Sequence, residues 1–319
     1  MSQPSDEAAA FRKVQPEEFY RKFLAQGVRP DGRALLGARK ATPTPGAVSS
    51  ADGSCMLKLG KTVVLAGVQC EPGVPTKADP ALGRVVVSLE VSSVASVAAG
   101  SSARGAAGRL DRELAPLREL LQRVASDDLL ELNTLCIAEG RAVWKCHCDV
   151  YIIEHDGNLT DAAMLALMCA IGDVRLPRVE LGAAAPPSQA AAAGGQPLDP
   201  SAEGGGGLVV REERAVPLRL ARPVYPVSFG LLSSSLLLDP CAEEEALASC
   251  GFTVLLDGAG KLCALHKPGG APLSPEQADH AIVAAQQRLP ALIALVAGGG
   301  KADGGGLGGG GGSKRSRED

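Results

Sequence analysis

At 319 residues the chain is too long for one small domain and suits two modest ones, with 45% hydrophobic residues to build their cores. A net charge of −4 and only 3% aromatic residues exclude a basic face that holds nucleic acid unaided and argue against a base-stacking platform. The nine cysteines are scattered on apolar segments, with Cys146 and Cys148 as the one close pair in sequence. Without a CxxC pair or histidines at zinc-finger spacing, they read as small buried hydrophobes in a reducing compartment, and no structural zinc is expected. The start "MSQPSDEAAAFRKV" lacks a signal-peptide pattern, and no apolar run is read as approaching the ~20 residues that span a bilayer, so the expectation is a soluble intracellular protein.

In chain order, "PEEFYRKFLAQG" spaces Phe19, Phe23 and Leu24 on one helical face, with Gly27 suited to the C-cap, so residues 1–28 are read as a helical arm. "RPDGR", Arg29 to Arg33, reads as a type I turn. "GSCMLKLGKTVVLAGVQCE" predicts a hairpin about Gly60-Lys61, and "RVVVSLEVSSV" a further strand. "LDRELAPLRELLQRV" places Leu110, Leu114, Leu117, Leu121 and Val124 in an amphipathic stripe. Pro116 removes a helical hydrogen bond and predicts a kink or a late start there.

From Val143 to Ile152 the residues alternate. Trp144, Cys146, Cys148, Val150 and Ile152 share one face of a half-buried strand; Lys145, His147, Asp149 and Tyr151 share the other. "LTDAAMLALMCAI" is apolar around most of its circumference, as in a helix packed on both sides, with Asn158 or Thr160 as its cap. The tract Gly182 to Gly207 and the tail Gly298 to Asp319 lack large apolar residues and are expected to be mobile. The basic "KRSR" at Lys314 to Arg317 could be a weak nuclear address, although such a run is more often only a solvated end.

Between them, strands at "PVYPVSFGLL", "SLLLD", "GFTVLLD" and "KLCALHK" precede a helix. Its capping box sets Ser274 at N-cap, Pro275 at N1 and Gln277 at N3. The division is therefore 29–181 and 208–297 as two folded units, with 182–207 inserted and 298–319 as tail. Strands before a helix in both units predict an α+β fold of two related βα units.

Glu154, Asp156 and Asp161 raise the question of an active site. Asp149 and Asp156, seven residues apart, would lie on opposite faces of one strand. Asp156-Gly157-Asn158 is explained by turn chemistry, and Asp161 by the helix dipole. His147 points away from its two flanking cysteines, and His155 beside Asp156 diverges from it if both lie on the strand. "GSSARGAAG", Gly100 to Gly108, could offer amides to a phosphate. Its "GSSA" resembles part of the phosphate loop of galactokinase-type small-molecule kinases but lacks the rest of that motif. Arg104 and Arg109 could hold a nucleic-acid backbone, although Arg109 could instead pair with Glu113.

"FYRKFLAQGVRPDGR", "ADGSCMLKLGKTVVLAGVQCE", "LCIAEGRAVWKCHCDVYIIEHDGNLTDAAMLALMCAI", "LLLDPCAEEEALASCGFTVLLD" and "GKLCALHKPGG" resemble, in that order, the ribonuclease PH-like ring subunits of the eukaryotic RNA exosome. The resemblance covers Phe19 to Leu295. It implies a ribonuclease PH-like (ribosomal protein S5 domain 2-like) fold and a ring of six such subunits that threads RNA. It implies other ring subunits and S1/KH-type cap subunits as partners, RNA met through the assembled channel, and residence in nucleus, nucleolus and cytoplasm. Membrane and small-molecule substrate are not implied.

Catalytic members of the family carry an "ADGGTR"-like motif whose Asp helps bind metal for phosphate attack. Here "HDGNLTDA" keeps Asp156 and Gly157 but replaces Gly-Thr-Arg by Asn158-Leu159-Thr160, the pattern of the non-catalytic branch. The resemblance thus implies no catalytic residue, metal or cofactor, a degenerate catalytic position at Asp156, Gly157 and Asn158, and RNA contact at Arg104 and Arg109. The competing reading is an active phosphorolytic 3′-to-5′ exoribonuclease using Asp156.

Overall fold

The structure is a computed structural model that describes residues 11–92, 106–181 and 208–299. Its larger sheet has the order β1-β2-β3-β6-β4, formed by β1 (Ala41–Pro45), β2 (Gly53–Leu59), β3 (Thr62–Gly73), β4 (Arg84–Val91) and β6 (Ala142–Glu154), with the short β5 (Cys136–Ala138) also paired to β6. All neighbours are antiparallel except β4 and β6, which run parallel. A parallel pair needs a crossover, and α2 (Ala106–Val124) supplies it.

Strand alternation puts Leu57, Leu59, Val64, Ala66, Val68, Val85, Val87 and Leu89 on the covered face with the Trp144-to-Ile152 set, and all of them are buried. The opposite face carries Met56, Val86, His147 and Tyr151, each more than a third exposed.

The second sheet has the order β10-β9-β11-β12: β9 (Val224–Leu232), β10 (Ser235–Leu238), β11 (Cys250–Asp257) and β12 (Leu262–His266). Two helices lie between the sheets. One is α3 (Leu159–Asp173), which packs on β2 and β3 on one side and on β9 on the other. Every residue from Asp161 to Ile171 is buried, as the all-round apolar pattern predicts. The other is α5 (Pro275–Gly299), beside α3 and against β1, β9 and β11. Its predicted capping box is present: Ser274 N–H donates to Gln277 Oε1 at 3.0 Å, and Gln277 N–H to Ser274 Oγ at 3.2 Å.

By length and hydropathy α5 could cross a membrane, so the sequence reading understated this apolar run. One side of it belongs to the core: Ala281, Ala285, Leu289 and Leu292 are buried, while Val283, Gln286 and Gln287 face outward.

Three further features were not read from the sequence. Pro116 neither starts nor ends α2, which runs continuously from Ala106 to Val124. Burial of Leu114, Leu117, Leu120, Leu121 and Val124 offsets the one hydrogen bond that Pro116 removes. The segments flanking residues 182–207 form an antiparallel pair, β7 (Arg175–Leu181) and β8 (Leu208–Pro217), which their mixed polar sequences did not announce. In the N-terminal α1 (Pro16–Leu24), Tyr20 and Leu24 pack with Leu232 and Leu237 of the second sheet.

Candidate functional site

The two units meet at the turn between β6 and α3. Gly157 there has φ +80, and a Cβ on it would lie 2.5 Å from the carbonyl carbon of Cys241 and 2.6 Å from both Pro240 O and Ala242 N. The backbone of the turn therefore touches the backbone that leads into α4 (Ala242–Leu247). Thr62, at the start of β3 and fully buried, holds the turn from behind: Asp156 N–H donates to its Oγ at 3.0 Å, and its hydroxyl donates to Gly157 O at 2.8 Å.

Asn158 is left-handed, φ 55 and ψ 52, and it rather than Thr160 caps α3 by accepting from Asp161 N–H at 3.3 Å. Its amide donates to Asp161 Oδ2 at 2.9 Å and to Asp239 Oδ1 at 2.6 Å, while its backbone N–H donates to Glu245 Oε1 at 2.7 Å. Asn suits this point on two counts: it tolerates the left-handed backbone, and one NH₂ group can satisfy two carboxylates that would repel a third.

Asp239 is wholly buried and is the hub. Its Oδ1 accepts from Arg39 Nη2 at 2.7 Å, and its Oδ2 from Arg39 N–H at 2.7 Å, Arg39 Nε at 3.0 Å and Arg33 Nη1 at 3.3 Å. Burial alone would raise its pKa, but the hydrogen bonds and charge of Arg39 outweigh that and hold it below the usual carboxylate range. Arg39 also donates to Asp156 O at 2.6 Å, Gly157 O at 3.3 Å and Pro240 O at 3.3 Å, so one guanidinium gathers the turn and the second unit. The fully buried Arg29 donates to Leu35 O at 2.6 Å, to Leu238 O, and to Glu244 Oε2 at 3.4 Å. Glu244 in turn accepts from Cys241 N–H at 2.9 Å, closing the capping box of α4.

This overturns the reading of Asp161 as a helix-start residue favoured by the dipole alone. It is 1% exposed and accepts from Ser228 Oγ at 2.7 Å and Ser228 N–H at 3.2 Å on β9. Ser228 Oγ lies 2.8 Å from Thr253 Oγ1, so the chain of bonds continues to β11. Burial raises the pKa of Asp161.

The carboxylates named from sequence do not converge. The Asp156 carboxylate is one-third exposed, with Arg39 Nη1 3.7 Å away. Asp161 turns inward to β9, whereas Asp149 stands with His147 on the outward side of β6, and Glu154 ends that strand. His155 is tied to the turn, its Nδ1 accepting from Gly157 N–H at 3.1 Å, and His147 Nε2 lies 3.5 Å from Glu71 on β3. Among the described residues no group of three or more His, Cys, Asp or Glu side chains surrounds a point where a metal could sit. Arg104 and the loop around it lie outside the described residues. Arg109 falls within the first turns of α2, and its side chain is likewise outside them.

Arg29, Arg33, Arg39, Asp239 and Glu244 went unassigned in the sequence. The available signal was three arginines in eleven residues just after α1, and a lone acid closing the apolar run "SLLLD".

Two βα units, joined over buried helices and clamped at a strand-to-helix turn, define the architectural class. The model of the "3' exoribonuclease family, domain 1" matches residues 37–177, and that of "domain 2" matches residues 222–288. The exosome complex component Rrp42 of Aeropyrum pernix is 31% identical over 253 residues, covering 79% of this chain and 82% of that protein. The exosome complex component rrp43 of Schizosaccharomyces pombe is 27% identical over 265 residues, covering 83% and 89%. A chain of an Archaeoglobus fulgidus exosome structure, described as having RNA bound to the active site, superposes with a TM-score of 0.68 at 24% identity, over 87% of this chain and 96% of that one. The chain belongs to the 3′ exoribonuclease, or RNase PH, family, and its α+β fold is that family's.

Proposed function

We propose that the chain is a non-catalytic subunit of an RNA exosome core ring, which supports 3′-to-5′ RNA processing and degradation by helping to build the channel. The observation that carries this reading is the state of the Asp156 turn. Where catalytic relatives place Gly-Thr-Arg, this chain has Asn158 with its amide committed to Asp161 and Asp239, while Arg39 is committed to Asp239 and to the carbonyls of Asp156, Gly157 and Pro240. Groups that could meet phosphate or RNA here are instead joining the two units.

Association with other RNase PH-like ring subunits and S1/KH-type caps is part of the proposal. Exposed Leu262 and Leu265 on the terminal strand β12, and Met56, Val86 and Tyr151 on the open sheet face, support it as surfaces suited to burial in an assembly. Residence in nucleus, nucleolus and cytoplasm, and RNA contact around Arg104 in the assembled channel, belong to the same proposal and rest on the resemblance.

The partly exposed Asp156 carboxylate favours the rival reading, a phosphorolytic exoribonuclease. The purified full chain should release no nucleoside diphosphate from single-stranded RNA in phosphate and magnesium. Release that disappears in Asp156→Ala would establish the rival instead.

A further inference from the structure

The first sheet also brings two thiols together. Cys70 on β3 and Cys146 on β6 face each other in register, with their Sγ atoms 3.2 Å apart. Cys70 N–H does not bond to β6; it donates to Asp52 Oδ2 at 2.7 Å on the β2 side. Two residues earlier, Val68 O likewise accepts from Asp52 N–H at 2.9 Å. Cys70 and Cys146 are therefore a non-hydrogen-bonded pair of the antiparallel ladder, in which Cα atoms approach to ~4.5 Å. That separation is within the range a disulfide bridges without backbone movement. Cys70 is partly exposed and Cys146 is buried, so of the two residues Cys70 is the one nearer to an oxidant in solvent.

We propose that Cys70 and Cys146 form an oxidation site, in which a peroxide converts Cys70 to a sulfenic acid and Cys146 resolves it to a cross-strand disulfide. In the first step the Cys70 sulfur attacks one peroxide oxygen, the O–O bond breaks, and water leaves after proton transfer, giving Cys70–SOH. In the second, the Cys146 sulfur attacks the Cys70 sulfur, the S–O bond breaks, the S–S bond forms, and a second water leaves. Two thiols lose two electrons and two protons, and one hydrogen peroxide becomes two waters.

The neighbourhood sets the rate and the competitors. The hydrogen bond that Cys70 donates to Cys146, then burial, hold the Cys70 thiol well above its ordinary pKa, so thiolate is scarce and reaction is slow beside that of an exposed cysteine. Cys263 is exposed and has no cysteine partner among the described residues; its oxidation should stop at capped or over-oxidised single-thiol products. Cys55 and Cys169 also interact, but both are buried and should remain thiols in the folded protein. Cys148 lies two pairs along β6, opposite Val68, and is the alternative resolving thiol.

The test is to treat the folded full chain with hydrogen peroxide, block remaining thiols with iodoacetamide under denaturing conditions, and map tryptic peptides without reduction. The peptide Thr62–Lys77 should be joined to the one beginning at Cys146, lighter than their sum by two hydrogens. The link should survive in Cys148→Ser and in Cys169→Ser, and vanish in Cys146→Ser, where Cys70 should end as sulfinic acid. Closing a loop this long should also raise the thermal midpoint of the oxidised protein by several degrees, reversed by a reductant. Over-oxidation of Cys70 in the unaltered chain, or a link lost in Cys148→Ser but kept in Cys146→Ser, would overturn the assignment.

Discussion

Gly157→Ala is expected to destabilise the protein by about 2–5 kcal/mol, whereas Gly140→Ala should cost ~1–2 kcal/mol. The two glycines share a left-handed backbone, φ +80 and +70, so the conformational penalty of a Cβ is common to both. Their surroundings differ. Nothing lies within 4 Å of a Cβ at residue 140, whereas at 157 it meets backbone atoms of Pro240, Cys241 and Ala242 at 2.5–2.6 Å. Backbone cannot swing aside like the end of a side chain, so the second unit would have to move. That movement would stretch the bonds from Arg39 and Asn158 to Asp239. Chemical denaturation of both variants checks the comparison; equal losses would mean that contact between the units adds nothing at Gly157.

The turn itself was legible in the sequence because its chemistry is local. Asp-Gly-Asn before an apolar run specifies a left-handed turn and a helix cap whatever packs on it, and Ser274-Pro275-Glu276-Gln277 specifies a helix start in the same way. The buried role of Asp161 was not legible, since its partner Ser228 is 67 residues away. Neither was the pairing of Arg39 with Asp239, 200 residues apart. Pro116 and Pro290 both lie inside helices, where tertiary burial of the flanking leucines overrides a local rule. The family motif drew attention to Asp156 to Asn158, and the structure shows those residues bonded to Arg39 and Asp239. What the motif could not convey is that this turn is a joint between the two units, because that depends on a third segment, Arg29 to Arg39, brought in from the far end of the first unit.

The joint is also where a single charge should matter most. Asp239→Asn keeps the size and the tolerance of φ +54, but removes the one carboxylate that Arg33 and Arg39 both reach. It also turns an NH₂ group toward a guanidinium that is 10% exposed. Removing one partner of a buried ion pair leaves the other uncompensated, and the expected cost is about 3–5 kcal/mol. Asp31→Asn, at a carboxylate 44% exposed that pairs with Arg33 alone, should cost under ~1 kcal/mol.

Because the pKa of Asp239 is lower in the folded chain than the ~3.9 of an unfolded aspartate, its contribution is fully present above that value and is lost as pH falls through the folded pKa. Asp161 has the opposite sign: its raised pKa makes its contribution largest at low pH and smaller as pH rises through the folded value. The unaltered chain should therefore lose more stability on acidification below pH ~4 than Asp239→Asn does, and denaturant midpoints measured across that range should converge. Parallel curves for the two proteins would show that Asp239 is not ionised within the joint, and the account of Arg39 as its counter-charge would fail with it.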